Sequence, residues 1–213
     1  GMTNSSETGA RHLGILWMLR LDRPLPGSPQ PRIPVTFSRA GLEEAGELAS
    51  AMGFDNPDRV LQRFRIGSRC YIVRADDKIV AYGWVSFDEE HIGELGLRIR
   101  LNEGEAYIWD CGTSPAYRGQ RLYPALLGYM LGELQSAGFQ RVWIGTDADN
   151  LPSQVGVALV GCLPVLDVVQ DSSTSRLVSR GRPGVPIQDV VDAHYAMFGN
   201  RDVTQIILPE ISE

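Results

Sequence analysis

Between Ala106 and Phe139 the chain passes directly from one regular element into another. Ala106 to Thr113 is aromatic and β-branched and reads as a strand. Ser114 to Arg121 contains Pro115 and Gly119 and reads as a loop, and Leu122 to Phe139 has helical periodicity. In that helix Leu122, Leu126, Leu127, Met130, Leu131 and Leu134 form one broad apolar face that must pack on a sheet, and Gly138 stands where a left-handed cap is expected. The junction leaves N–H groups in the loop and first turn without helical partners, and the helix dipole adds about half a positive charge there. Pro124 suits a first turn, where its missing donor is no loss. The arrangement suits a phosphate group, but any strand–helix unit needs a polar loop and a cap, so composition leaves both readings open.

The flanking pattern fixes the fold class. Residues 1 to 12 are polar, Gly14 to Leu21 reads as an extra strand, and Pro24, Pro26, Pro29, Pro31 and Pro34 make an extended connector. Val35 to Arg39 reads as a strand, Leu42 to Met52 as a helix, and a second short helix follows Pro57. Cys70 to Arg74 and Ile79 to Phe87 form a hairpin about Asp76-Asp77-Lys78, and a short strand is expected at Leu97 to Leu101. Arg141 to Thr146 is a strand, Ser153 to Val160 a helix, and Leu163 to Val169 a strand that can pair with Ser175 to Ser179. Ile187 to Phe198 reads as an amphipathic helix, followed by a strand at Val203 to Leu208. Strands that meander first and later alternate with helices predict an α/β (α+β mixed) fold, its mostly antiparallel central sheet flanked by helices.

At 213 residues the chain is long enough for one well-filled core, and no apolar run approaches the roughly 20 residues that cross a bilayer. Cys70, Cys111 and Cys162 lie far apart, without the close pairs of metal or disulfide frameworks, and His12, His91 and His194 lack metal-ligand spacing, so no metal is expected. A reducing, cytoplasmic setting fits. A net charge of −6 with scattered basic residues argues against nucleic acid and suits, weakly, an amine-bearing partner. Glu89, Glu90, Glu94, Glu103 and Glu105 read as solvated or as lining a cleft mouth.

Thr113-Ser114-Pro115-Ala116-Tyr117-Arg118-Gly119, and then Asn150, Ser153 and Gly161-Cys162 in register, carry a resemblance. From about Val35 to Val169 the chain resembles the GNAT acetyltransferase family. That family's signature loop is Arg/Gln-x-x-Gly-x-Gly/Ala after an approach of the form Val-x-Pro-x-Tyr-Arg-Gly; its second signature is Asn-x-x-Ala/Ser with Gly-Phe eight residues on. The resemblance implies an acetyltransferase domain over 35–180; the residue pattern adds an N-terminal extension with a Pro-rich connector over 1–34 and a C-terminal extension over 181–213 that packs on the core or pairs two subunits as a homodimer.

It also implies acetyl-CoA, or another acyl-CoA, as cosubstrate. The backbone around Cys111, Gly112 and Thr113 would hold the pantetheine arm, and the amides of Arg118, Gly119, Gln120, Arg121, Leu122 and Tyr123 the diphosphate, with Asn150 and Ser153 beside the cofactor. A small-molecule primary amine would attack the thioester directly in a ternary complex; a non-catalytic acyl-CoA-binding or sensing module is the alternative.

The chain departs from the family where Arg121 and Tyr123 replace small residues. Val157 stands where many members carry a proton-donating tyrosine, and Gly145 where some carry a glutamate base. The remaining catalytic candidates are Asp110, whose alternative is a carboxylate that caps or pairs within the fold, and Tyr123 as proton donor. Tyr82, Trp84, Tyr107 and Trp109 can wall an acceptor pocket or be plain core. Strand alternation puts Tyr107, Trp109 and Cys111 on one face and Asp110 on the other unless a bulge intervenes. Cys111 invites an acyl-cysteine, but a buried cysteine usually acts as a small hydrophobe.

Overall fold

The computed structural model describes residues 10–88, 90–92 and 97–209. In chain order the elements are β1 (Ala10–Arg20), β2 (Thr36–Arg39), α1 (Ala45–Ala51), α2 (Asp58–Arg65), β3 (Arg69–Ala75), β4 (Lys78–Ser86), β5 (Glu90–Ile92), β6 (Leu97–Ile99), β7 (Glu105–Thr113) and α3 (Leu122–Ser136). Then follow β8 (Arg141–Asp147), α4 (Leu151–Leu159), β9 (Leu163–Asp171), β10 (Leu177–Gly181), α5 (Ile187–Phe198) and β11 (Ile206–Ile207). Among the described residues nine strands form one sheet in the order β11-β10-β9-β1-β8-β7-β4-β3-β2, and β5 and β6 pair separately. β7 runs parallel to β8 and β10 to β11; the other neighbours in the large sheet are antiparallel.

Local chemistry explains the hairpin at its centre. Asp76 and Asp77 both take left-handed backbone angles, φ 50° and 62°, the twist that joins β3 to β4 through two residues. α3 stops at Ser136, short of Phe139, because Gly138 turns left-handed at φ 90°. Its buried Leu122, Leu126, Leu127, Met130, Leu131 and Leu134 lie over β3, β4 and β7, each burial contributing about 1.5–3 kcal/mol. α4 packs beside α3 on this face. The opposite face is covered by α1 and α2 over Cys70, Ile72 and Trp84, and by α5 over Leu16, Trp143 and Leu166.

The segment read as an extra strand is central. β1 lies between β8 and β9 and is paired on both edges, with Ile15 to Leu19 buried. The connector after it crosses α3, where Gln135 Nε2 donates to the carbonyls of Leu21 and Arg23, both at 2.9 Å.

Three expectations change. The strand expected over Val203 to Leu208 shrinks to β11, because Asp202 Oδ1 accepts from Thr204 N at 3.0 Å and winds Val203–Gln205 into a 3-10 turn. Glu105, expected to be solvated, is 6% exposed. The parallel register sets it opposite Arg141, whose Nε donates to it at 2.7 Å, and Trp143 Nε1 donates to the same oxygen at 3.2 Å. β5, unexpected from the sequence, runs over Glu90–Ile92; Glu89 and Glu94 lie outside the described residues.

Candidate active site

The parallel pairing of β7 and β8 begins at Glu105 opposite Arg141 and ends at Ile108 opposite Ile144. Both strands continue. β7 stays paired to β4, with Thr113 opposite Ala81, while β8 stays paired to β1, with Asp147 opposite Gly14. The strands therefore part over residues 109–113 and 145–147, each anchored on its outer edge. A cleft of about 1000 Å³ occupies the opening. It is lined from one face of the sheet by Tyr123, Asn150 and Ser153 and from the other by Tyr107, Trp109 and Arg63.

A bulge sets which side chains meet the cleft. Trp109 lies opposite Trp84 and Gly112 opposite Tyr82, so Asp110 and Cys111 together face the single Gly83. Asp110 takes φ 46° there. Tyr107 and Trp109 consequently pack on the α1, α2 and α5 face, while Cys111 turns to the α3 face and lines the cleft. Burial, with Asp110 beside it, pushes the Cys111 thiol up to about 12.

On the α3 side, Pro115–Tyr117 forms a 3-10 turn, and Gly119 and Arg121 take φ 79° and 60° before the helix starts. Arg121 thus keeps the backbone shape of a glycine despite its side chain. Among the described residues no acceptor pairs with the amides of Gly119, Gln120, Arg121, Leu122 or Tyr123. Left-handed and right-handed residues in succession form a concave nest of N–H groups. Tyr123 does not fill it. Its ring lies against α4, where a Cβ added to Gly156 would come 2.5 Å from Cδ1, and its hydroxyl is 3.2 Å from Ser153 Oγ. Burial raises the Tyr123 phenol well above its ordinary value. Asn150 caps α4, its Oδ1 accepting from Ser153 N at 3.1 Å.

On the other side, Arg63 from α2 donates through Nη1 to Asp110 Oδ2 at 2.7 Å. Its guanidinium carbon lies 4.4 Å from the Trp109 ring centre and 4.8 Å from that of Trp84. Trp109 Nε1 donates to Ser86 Oγ at 2.8 Å.

The structure brings Tyr107, Trp109, Asp110, Cys111, Tyr123, Asn150 and Ser153 to one cleft. Gly112, Thr113 and Arg118 to Leu122 lie along the strand end and loop that lead out of it. Trp84 is wholly buried beneath Arg63, and Tyr82 stands beside Gly112 with its phenol raised by burial to about 12, so neither lines the cleft. Sequence reasoning missed Arg59 and Arg63, whose four-residue spacing on α2 was the available signal. It also missed Gly14, Ile15 and Leu16 of β1 and Met197 of α5, whose contribution needs the sheet order.

The profile of the acetyltransferase (GNAT) family matches residues 42–155, just over half of the chain and the stretch that holds α2, β7, the loop, α3 and β8. A GCN5-related N-acetyltransferase from Sphaerobacter thermophilus is similar in fold, at 19% identity and a TM-score of 0.53 over 73% of this chain and 50% of that one. A GNAT-family acetyltransferase from Colwellia psychrerythraea superposes with a TM-score of 0.54 at 14% identity, over 75% of this chain and 55% of its own. The chain thus spans about half the length of these two structures. No curated protein matches. By the profile match, and with a sheet that parts where the cleft opens, the chain belongs to the acetyltransferase (GNAT) family.

Proposed function

We propose that the protein transfers an acetyl group from acetyl-CoA to a small primary amine by direct attack in a ternary complex. The observation that carries this reading is the parting of β7 from β8 after Ile108 and Ile144, which lets one cleft join the α3 side of the sheet to the α2 and α5 side. The residues present fit the cosubstrate, since the amides of Gly119 to Tyr123 are unpaired, Arg121 holds the left-handed angle, and Tyr123 is turned onto Gly156. When bound, acetyl-CoA supplies the acyl group as a thioester open to a neutral amine.

The chain's own groups have separate tasks. The loop amides hold a diphosphate, and the unpaired edge of β7 from Cys111 to Thr113 offers backbone partners to the arm that follows. Tyr123, kept protonated by burial, can give a proton to the departing thiolate as the C–S bond breaks. The proton shed by the attacking amine passes to solvent in the open cleft, from which Tyr123 is reprotonated. Asp110, tied to Arg63, serves as an orienting group for the acceptor rather than as a lone base. The Cys111 thiol, near 12, is a poor nucleophile at neutral pH, which favours direct attack over an acyl-cysteine. The larger part of the rate comes from holding amine and thioester together.

Thiol release from acetyl-CoA across a broad panel of primary amines tests the reading; amine-dependent release supports it. The sensing alternative draws on Val157, which is fully buried at the position of the missing tyrosine, and on the absence of a side chain at Gly145. Thermal stabilisation by acetyl-CoA with no release for any amine would favour that alternative.

A further inference from the structure

Two arginines, Arg59 and Arg63, line the acceptor half of the cleft in a protein whose net charge is −6, and the cleft's carboxylates are Asp110 and Asp147. Arg59 and Arg63 stand four residues apart on α2 and both line the cleft. Like charges at this spacing repel on a helix and destabilise it modestly. Only Arg63 has a carboxylate partner, Asp110 at 2.7 Å, and that contact uses one Nη1 of a fork with five N–H donors. Among the described residues no carboxylate pairs with Arg59, whose guanidinium carbon lies 5.1 Å from the Phe54 ring centre. The rings of Trp84 and Trp109 hold the Arg63 plane in place and leave its in-plane donors for another acceptor. A held arginine with spare donors and an unmatched second arginine one turn away make a receptor for a planar or tetrahedral oxyanion.

That oxyanion does not belong to the cosubstrate in our reading. The unpaired loop amides open at the start of α3 on the opposite face of the sheet from α2. We infer that the acceptor is an amine that itself bears an anionic group, a carboxylate or a phosphate, which Arg59 and Arg63 hold while Asp110 faces the amino end. This rests on the amine-transfer reading above and narrows its substrate class. Tyr107, Trp109, Leu16 and Met197 leave an apolar and aromatic wall for the rest of the acceptor.

The test compares free amino acids, their decarboxylated amines and O-phosphoethanolamine as acceptors for the full chain with acetyl-CoA. We expect kcat/KM to favour the anionic amines by at least about tenfold, the scale of one charge-assisted hydrogen bond. Whichever anionic arm is stronger identifies the oxyanion. Arg59→Gln should lower the ratio of anionic to decarboxylated amine by about tenfold, and Arg59→Lys should keep part of it. A preference for the decarboxylated amines, or a ratio unchanged in Arg59→Gln, overturns the inference.

A binding readout separates it from the parent reading. The fluorescence of Trp84 and Trp109 beneath Arg63 should respond to N-acetylated amino acids or N-acetyl-phosphoethanolamine and not to the corresponding neutral amides. Such binding without thiol release would leave the acceptor class standing and remove the transfer reaction. Release with neutral amines alone would do the reverse, and absence of both responses overturns the class.

Discussion

The main-chain N–H of Arg32 donates to the carbonyl of Gln120 at 2.9 Å, and its Nη1 donates to that of Gly119 at 3.2 Å. In a trans peptide the carbonyl and the following N–H point in opposite directions. The connector therefore grips the loop from behind and turns the amides of Gln120 and Arg121 outward, toward the space a diphosphate would fill. Arg32→Ala should raise the KM for acetyl-CoA about threefold to tenfold with a smaller change in kcat, and Arg32→Lys should recover part of the loss. With S-acetyl-pantetheine, which lacks the diphosphate, the variant and the parent should behave alike. Equal losses with both thioesters would assign Arg32 to general folding.

Arg121 holds φ 60° without the freedom of glycine, a strain of about 1 kcal/mol. Arg121→Gly should relieve it and raise the melting temperature by about 2–4 °C, while Arg121→Val should lower it, since a β-branched residue tolerates this angle least. Melting curves of the three proteins decide the matter.

Tyr123→Phe removes the hydroxyl 3.2 Å from Ser153 Oγ and keeps the ring on Gly156. Stability should fall by about 1 kcal/mol or less, and kcat by about tenfold to a hundredfold with little change in the KM for acetyl-CoA. Because burial holds the phenol above its ordinary value of 10.0, the parent enzyme should lose no activity through this group below that pH. An unchanged kcat would remove Tyr123 from the proton path.

Beneath α5, Ser179 Oγ lies 2.6 Å from His194 Nδ1, and His194 Nε2 lies 3.0 Å from Asn200 Oδ1, which fixes the extension after the helix. Burial lowers His194 from its ordinary 6.5, so the folded state prefers the neutral ring. The stabilisation is complete above 6.5 and is lost as the pH falls below it through the folded-state value. Urea midpoints should decline as the pH falls below 6.5. His194→Phe should be less stable throughout but flatter over that window.

The mixed sheet, the hairpin at Asp76-Asp77 and the strand–loop–helix junction were legible because each follows from local patterns: periodicity, turn chemistry and a helix start. The central place of β1 was not, because an apolar run marks a buried strand without naming its neighbours. The bulge at Asp110 and Cys111 was foreseen only as a condition, since two residues facing Gly83 is a property of the pairing between strands. Glu105 was misread for the same reason, as its partner Arg141 lies on a strand far along the chain. The strand–loop–helix side of the cleft announced itself in one continuous segment, whereas the opposite side draws Arg63, Leu16 and Met197 from three distant elements.

Calorimetric titration of the full chain with acetyl-CoA, and in parallel with S-acetyl-pantetheine, tests the central claim most directly. Saturable binding of acetyl-CoA in the range of about 1 µM to 1 mM, markedly tighter than that of the pantetheine thioester, is the result predicted by a diphosphate held on the amides of Gly119 to Tyr123. No heat with acetyl-CoA at millimolar concentration, or equal affinity for the two thioesters, would contradict it.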